Sequence, residues 1–205
     1  MTYVTCDEVK AFSKLKREDL DYETEAEFES YIDTLIPLAE GMIDSFCHVP
    51  RGFFADSGMT FTNSLHDYRA TWIHLKYKPV LSISKVEVDT STYGDDPSWT
   101  ELSENTGYVC AKERGLLKIV GDTVPSEMLQ TIRVAYTAGY SSCPQTIEFV
   151  ALQLISNIMH EMHQRKLSPL VRTDDYQIRL VVPKAFTPEL QQDLAPYVNR
   201  QVLVG

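Results

Sequence analysis

The chain has 205 residues, of which 43% are hydrophobic and 23% charged, a composition that is typical of a globular domain and excludes a largely disordered chain. No run of about 18 apolar residues occurs, so we expect no membrane-spanning helix and no membrane partner. The formal net charge is −10, which disfavours tight binding to duplex DNA because such binding requires lysine and arginine at the phosphates.

The N-terminal region is predicted to be helical. Thr5 to Glu8 and Thr24 to Glu27 both fit a capping box, in which a hydroxyl and a carboxylate three residues apart satisfy each other's backbone N–H groups. Pro37 lies inside the second helix, and since an interior proline costs about 3 kcal/mol, we expect a kink or a break there. The apolar residues that recur at helical spacing are Phe28, Ile32, Leu35, Ile36, Ala39, Ile43 and Phe46.

The middle of the chain is predicted to form a small antiparallel sheet, because it is rich in threonine, valine, isoleucine, tyrosine and tryptophan. Gly115 closes a short connection that suits a hairpin. In the last strand Ile132, Val134 and Tyr136 alternate on one face. The predicted strands are 60–62, 71–75, 82–88, 108–110, 116–119 and 131–136.

Helix returns after Pro144, since proline is well placed in a first helical turn. Its apolar stripe comprises Ile147, Val150, Ala151, Leu154, Ile158 and Met162. Residues 176–182 alternate like a strand, and Thr187 and Pro188 begin a last short helix.

We therefore predict an α+β fold, namely a small helical bundle with an inserted antiparallel β-sheet and a C-terminal extension. The predicted divisions are the N-terminal helices at 1–58, the β region at 59–140, the returning helix at 141–167 and the extension at 168–205.

The search for catalytic patterns favours a protein that is not an enzyme and needs no cofactor. His160 and His163 have the i, i+3 spacing of a helical metal site, but no third ligand follows. Asp95-Asp96 and Asp174-Asp175 fall in polar loops and are interpreted as solvated surface. We predict no catalytic, cofactor-binding or metal-binding residue, with a metal enzyme built on the two histidines as an alternative.

Several short motifs follow one another in an order that resembles the head-tail connector (adaptor) family of tailed bacteriophages. They begin with Tyr3-Val4-Thr5 and Glu8-Val9-Lys10, and continue with Leu38-Ala39, Ile43-Asp44 and then Cys47 with Arg51 and Phe53. Next come Ile73-His74-Leu75 and Pro79-Val80-Leu81-Ser82-Ile83. The most recognisable segment is Val134-Ala135-Tyr136-Thr137-Ala138-Gly139-Tyr140, followed by Pro144, Ile147 and Ala151.

Within that segment, Tyr136, Gly139, Tyr140 and Pro144 are interpreted as the structural switch from sheet to helix. Gly139 supplies the positive φ that a sharp exit from a strand requires, and Pro144 opens the helix.

The resemblance implies a structural virion protein in the neck, at the head-tail interface, made in the host cytoplasm. It implies a ring of twelve copies bound under the portal protein. Such a ring extends the DNA channel and provides a docking surface for the next neck or tail protein, a stopper or a tail terminator. Packaged DNA would pass through the lumen without sequence-specific binding.

Two sets of residues follow from this implied role. The residues expected to dock on the portal are Tyr176, Ile178, Leu180, Val182, Val202, Leu203 and Val204. The acidic residues expected to face the channel are Glu18, Asp19, Asp21, Glu23 and Glu25.

Two other interpretations stay open. The chain is alternatively a stopper or tail-completion protein of the neck, or a stand-alone binding module whose β-sheet uses Trp72 and Trp99 as contacts.

Overall fold

The computed structural model describes residues 2–55, 57–67, 72–92, 95–121, 130–167 and 185–199. These residues form two compact units, one helical and one built of strands. The described parts of Met1–Gly52 and Cys143–Arg200 make the helical unit, and those of Phe53–Ser142 make the sheet unit. The content of helices and antiparallel strands confirms the predicted α+β class.

The helical unit contains α1 (Cys6–Ser13), α2 (Glu25–Cys47), α3 (Gln145–Leu167) and α4 (Pro188–Leu194). Short 3₁₀ turns follow α1 at Arg17–Leu20 and α4 at Ala195–Tyr197.

Both predicted capping boxes are confirmed, since Thr5 and Thr24 accept the N–H groups of Glu8 and Glu27. Thr187 likewise caps α4, and Pro188 occupies its first turn. Helix α2 ends at Cys47, and the next residue, His48, caps it with a left-handed backbone.

Helix α2 runs without interruption through Pro37, so the break that the sequence allowed is wrong. Proline removes one backbone donor and costs about 3 kcal/mol in a helix interior. On either side of it Ile32, Ile36 and Ile43 are at most 4% exposed. Because a fully buried aliphatic side chain contributes about 1.5–3 kcal/mol, this buried stripe outweighs the cost of the proline.

The buried face of α3 differs from the predicted stripe at its C-terminal end. Ile147, Ala151 and Leu154 are fully buried as predicted. Further along, Ile155 and Met159 are buried, whereas Ile158 is only half-buried and Met162 is 38% exposed. Helices α1, α2 and α4 all contact α3, so its buried face is wider than one stripe and a single periodic pattern cannot locate its edges.

The sheet unit holds two antiparallel sheets instead of the single predicted one. Four strands pair in the order β1 (Met59–His66), β7 (Ile132–Ala138), β3 (Val80–Asp89) and β4 (Trp99–Glu101). The second sheet has the order β2 (Ile73–His74), β6 (Leu116–Ile119) and β5 (Tyr108–Ala111). Strand β4 has three residues, too few for a periodic signal, and was not predicted.

The hairpin between β5 and β6 is confirmed. A 3₁₀ turn at Lys112–Arg114 connects the strands, and Gly115 adopts a φ of 62° at its end.

Strand β7 is the centre of the larger sheet, and its predicted alternation is confirmed. Ile132, Val134, Tyr136 and Ala138 are buried, while the residues between them are half-buried. The ring of Phe61 on β1 lies 5.2 Å from that of Tyr136 and stacks on Tyr77 at 4.7 Å. Aromatic packing of this kind supplies the largest apolar areas in a small core.

Among the residues that the structure describes, no helix is both long enough and apolar enough to cross a membrane.

Candidate interaction surfaces

An open groove of about 960 Å³ runs along the C-terminal half of α2. We call it the α2 groove. Helix α2 contributes most of its lining and the segment around α4 contributes the rest. The lining residues are Pro37, Leu38, Gly41, Met42, Asp44, Ser45, Phe46, Val49, Arg51, Phe186 and Gln191.

The lining of the α2 groove is mainly apolar. Leu38 is 53% exposed, the highest value among the large hydrophobic side chains of the described residues. The rings of Phe46 and Phe186 meet edge to face with centroids 5.3 Å apart and form one wall. A Cβ built on Gly41 meets no heavy atom within 4 Å, so this point of the helix backbone is open to an incoming group.

Two buried carboxylates on α2 hold the N-terminal segment. Tyr3 donates its N–H to Glu40 Oε1 at 2.6 Å and its hydroxyl to Asp44 Oδ1 at 2.5 Å. The second oxygen of Asp44 accepts the N–H of Gly52 at 2.8 Å. Burial raises the pKa of Glu40 and of Asp44, and these hydrogen bonds counteract part of that rise.

The described C-terminal residues end next to the α2 groove. Asn199 donates its N–H to the carbonyl of Cys47, the last residue of α2, at 2.8 Å. Asn157 on α3 donates its side-chain amide to the carbonyl of Ala185 at 3.0 Å. Leu190 and Leu194 of α4 are at most 4% exposed. The C-terminal segment from Ala185 to Asn199 is thus part of the helical unit.

The acidic residues proposed for a channel surface lie along one segment between α1 and α2. Glu18, Asp21, Glu23 and Glu25 are exposed and Asp19 is half-buried.

Several of these acids have partners within the protein. Glu18 pairs with Arg17 at 3.0 Å and Glu25 with Lys10 at 3.1 Å. Asp19 accepts the N–H of Lys16, and its carbonyl oxygen is 2.7 Å from Nδ1 of His163. The His163 contact joins the segment to α3, and the ion pairs with Arg17 and Lys10 neutralise part of its charge.

The remaining carboxylates of note lie in the sheet unit. Glu87 on β3 bonds to Nε of Arg133 and to Nζ of Lys85, each at 2.7 Å. The guanidinium of Arg133 lies 4.3 Å from the ring centroid of Trp99. The hydrogen bond from Arg133 lowers the pKa of Glu87, with a further contribution from Lys85.

The predicted switch residues occupy distinct positions at the end of β7 and the start of α3. Gly139 has a φ of 124° and donates its N–H to the carbonyl of Pro79 at 2.9 Å. The Tyr140 ring packs against Phe54 with centroids 5.7 Å apart. Pro144 accepts the N–H groups of Ile147 and Glu148, which starts α3. The positive φ expected of Gly139 is therefore present.

The other residues that the sequence predicted for binding do not form a common site in the described part of the chain. Tyr176, Ile178, Leu180, Val182, Val202, Leu203 and Val204 lie outside the described residues. Trp72 is 39% exposed, whereas Trp99 lies against Arg133 and so does not offer an open platform. His160 is exposed and His163 contacts Asp19. Within the described ranges, no group of three or more metal-ligating side chains occurs.

The α2 groove was not predicted from the sequence, although a signal for it exists. Leu38, Met42 and Phe46 form a second apolar stripe on α2, next to the buried one, and Val49 follows shortly after the helix. The prediction placed Phe46 in the buried stripe. A helix with two apolar stripes has more apolar surface than its own core covers, and this excess indicates a contact surface.

Comparison with known proteins gives a match only at the level of structure. No protein-family model matches the chain, and no curated protein matches it. Among solved structures, a chain in the neck of an empty gene transfer agent particle, computed with C6 symmetry, has a TM-score of 0.53 at 15% identity. A chain in the virion of the native gene transfer agent particle has a TM-score of 0.52 at 16% identity. Each alignment covers 98% of this chain and 92% of the other, so the likeness establishes a shared fold over nearly the whole length.

Proposed function

We propose that this protein is a structural component of the neck of a phage-like particle and has no catalytic role. The observation that carries the proposal is the fold likeness to chains of a gene transfer agent neck and virion, which extends over 98% of this chain. The order of motifs that resembles head-tail connectors supports it independently, since those motifs were read from the sequence alone.

Within the neck, we assign the chain the adaptor position, as a ring of twelve copies under the portal. A closed ring needs two different surfaces on each copy, because each copy contacts its neighbours head to tail. The α2 groove, with Leu38 and Met42, is one candidate for these surfaces. The opposite side of α2 carries Glu29 and Glu40, which bind α1 and the N-terminal segment, so we expect the second surface on the sheet unit.

The acidic segment is proposed to face the channel or its rim. Carboxylates do not bind phosphates, so such a surface lets DNA pass without sticking. Glu23 is the sharpest probe, because it is exposed, whereas the neighbouring Glu18 and Glu25 form ion pairs with Arg17 and Lys10. Glu23→Lys in assembled particles is expected to slow DNA release, with Lys112→Glu in the sheet unit as a charge-reversal control. Unchanged release would argue against the channel position.

The portal contact is proposed to lie in the C-terminal extension. The residues proposed for it are Tyr176, Ile178, Leu180, Val182, Val202, Leu203 and Val204. Truncation after Leu167 is not a clean test, because it also removes Leu190 and Leu194 from the core of the helical unit. Single changes to aspartate at Ile178 or Leu180 test the contact and keep Leu190 and Leu194 in the chain.

The test is co-sedimentation of the full chain with its cognate portal ring. Binding by the full chain, weakened by Leu180→Asp, would support both the adaptor role and the portal contact. Binding that Leu180→Asp leaves unchanged would keep the adaptor role and move the contact elsewhere. Binding only to an assembled portal–adaptor complex would favour a stopper or tail-completion protein. Absence of binding to both would favour the stand-alone binding module.

A further inference from the structure

The smaller sheet, β2–β6–β5, presents basic side chains and an exposed tryptophan, although the chain as a whole is acidic. We propose that this surface binds single-stranded nucleic acid, with lysine and arginine at the phosphates and a base stacked on the tryptophan. We call it the basic face, and its residues are Trp72, His74, Lys78, Arg114 and Lys118. The inference concerns the sheet unit alone and does not depend on the neck function.

Strand pairing places Trp72 and Lys118 on the same side of the smaller sheet. Ile73 lies opposite Leu117, and both are buried, so the residues next to them in each strand point away from the core. Trp72 is 39% exposed, and Nζ of Lys118 lies 5.8 Å from the centroid of its ring. An aromatic ring beside a cation is the combination that proteins use to hold a single strand.

The other cations of the basic face lie towards the hairpin between β5 and β6. Leu75, which follows His74, donates its N–H to the carbonyl of Gly115 at 2.8 Å. A Cβ built on Gly115 would lie 3.2 Å from Cβ of Lys78, so this lysine lies beside the hairpin. Arg114 directly precedes the glycine, and like His74 and Lys78 it is exposed.

The charge of this part of the chain has the sign opposite to that of the whole. The segments that build the smaller sheet, 72–78 and 108–119, contain five lysines and arginines and one acid, Glu113. Their formal charge is therefore +4, against −10 for the full chain. The described ion pairs of the sheet unit lie on the larger sheet, where Lys85 and Arg133 bind Glu87. The basic face thus attracts an anionic chain.

A single strand fits the basic face better than a duplex or an acidic protein does. In a duplex the bases are stacked on each other, so only the cations of the face would find partners. An acidic polypeptide would also pair with the cations, but it offers the Trp72 ring no base to stack on. Only an unpaired strand uses both the ring and the cations.

The experiment measures the binding of a fluorescently labelled oligo(dT) of about twelve nucleotides to the full chain by anisotropy, over a series of salt concentrations. Lys118→Gln removes one phosphate contact, so the slope of log K against log salt should become shallower by about 0.7. Lys14→Gln is the matched control, because Lys14 is an exposed lysine of the helical unit. It changes the net charge equally and should leave the slope as in the wild type.

Trp72→Leu tests the stacking contact separately. The affinity should fall about tenfold, the ratio expected for the loss of one stacked base. The salt slope should stay that of the wild type, because no phosphate contact is removed. Trp99 then remains the sole tryptophan of the chain, and an unchanged emission spectrum of Trp99 confirms that the sheet unit is folded.

Four results would overturn the assignment. Absence of binding at about 50 mM salt would show that the face does not take nucleic acid. Equal binding by the wild type, Lys118→Gln and Trp72→Leu would place the contact elsewhere. A duplex bound as tightly as the single strand would limit the contact to phosphates. Displacement of the oligonucleotide by polyglutamate of equal charge would assign the face to an acidic protein.

Discussion

Gly139→Ala should destabilise the sheet unit strongly. Gly139 follows β7 with a φ of 124°, a conformation that residues with a side chain rarely adopt. A Cβ at this position would lie 2.9 Å from the carbonyl oxygen of Phe53 and 3.0 Å from Cα of Gly58. Both neighbours are backbone atoms, so neither can rotate away. Backbone strain of this kind costs about 1–3 kcal/mol, and overpacking costs about 1–3 kcal/mol, which together predict a loss of about 2–6 kcal/mol.

The assay can be restricted to the sheet unit, because both tryptophans of the chain, Trp72 and Trp99, belong to it. Urea unfolding followed by tryptophan fluorescence should give a lower midpoint with an unchanged slope.

Gly41→Ala is the matched control, the same substitution in the interior of α2, where the new Cβ meets nothing within 4 Å. Removing an interior helical glycine should stabilise the helical unit by about 0.5–1 kcal/mol, as measured by far-ultraviolet circular dichroism. The explanation given for the two glycines would be refuted if Gly139→Ala lowered the free energy of unfolding by less than about 1 kcal/mol. It would also be refuted if Gly41→Ala lowered it at all.

Three further predictions concern single hydrogen bonds. Thr24→Ala removes the cap of α2 and should cost about 1 kcal/mol in circular-dichroism melts; an unchanged melt would mean that the cap is dispensable. Tyr3→Phe removes the hydroxyl that donates to buried Asp44 and should lower the free energy of unfolding in urea by about 1–3 kcal/mol. An unchanged free energy would show that water replaces the tyrosine hydroxyl. Arg133 lowers the pKa of Glu87, so this pair contributes stability above the ordinary carboxyl pKa of about 4.3, which is lost as the pH falls through the lowered value. Glu87→Gln should remove that part of the acid sensitivity of tryptophan fluorescence, and an identical pH profile would contradict it.

The local signals in the sequence located most of the helices and strands. The capping boxes at Thr5 and Thr24 and the alternation along β7 are determined within a few residues, so a sequence pattern suffices to find them. The uninterrupted α2 is different, because Pro37 is tolerated only through burial against the rest of the helical unit. That burial is a tertiary effect, which local propensity does not report.

The second sheet and β4 could not be predicted for a similar reason. Strand β4 has only three residues, and contacts distant in sequence hold it in place. Asp89 accepts the N–H groups of Ser91 and Ser98, which closes the connection to β4. The Arg133 guanidinium then covers the Trp99 ring. Pairings over such separations depend on the whole fold.

The candidate surfaces were predicted less well than the elements that carry them. The acidic segment was visible because charge is read directly from the sequence, but its ion pairs with Arg17 and Lys10 were not. The α2 groove was missed because Phe46 fits two helical stripes equally well. Only the packing of Phe186 against it shows which stripe is covered and which lines the groove.

The low sequence identity to the gene transfer agent chains has a physical explanation. An identity of 15% with a fold shared over 98% of the chain is expected when the pattern of buried positions determines the fold, since a core accepts many apolar residues of similar volume. Positions outside the buried core, such as Leu38, Met42 and Glu23, are free of that constraint. Under the proposed neck function, the surfaces that select partners are therefore those least tied to the fold. Under that proposal, changes in the α2 groove and the acidic segment would alter the neighbours that the protein binds, while its two cores stay the same.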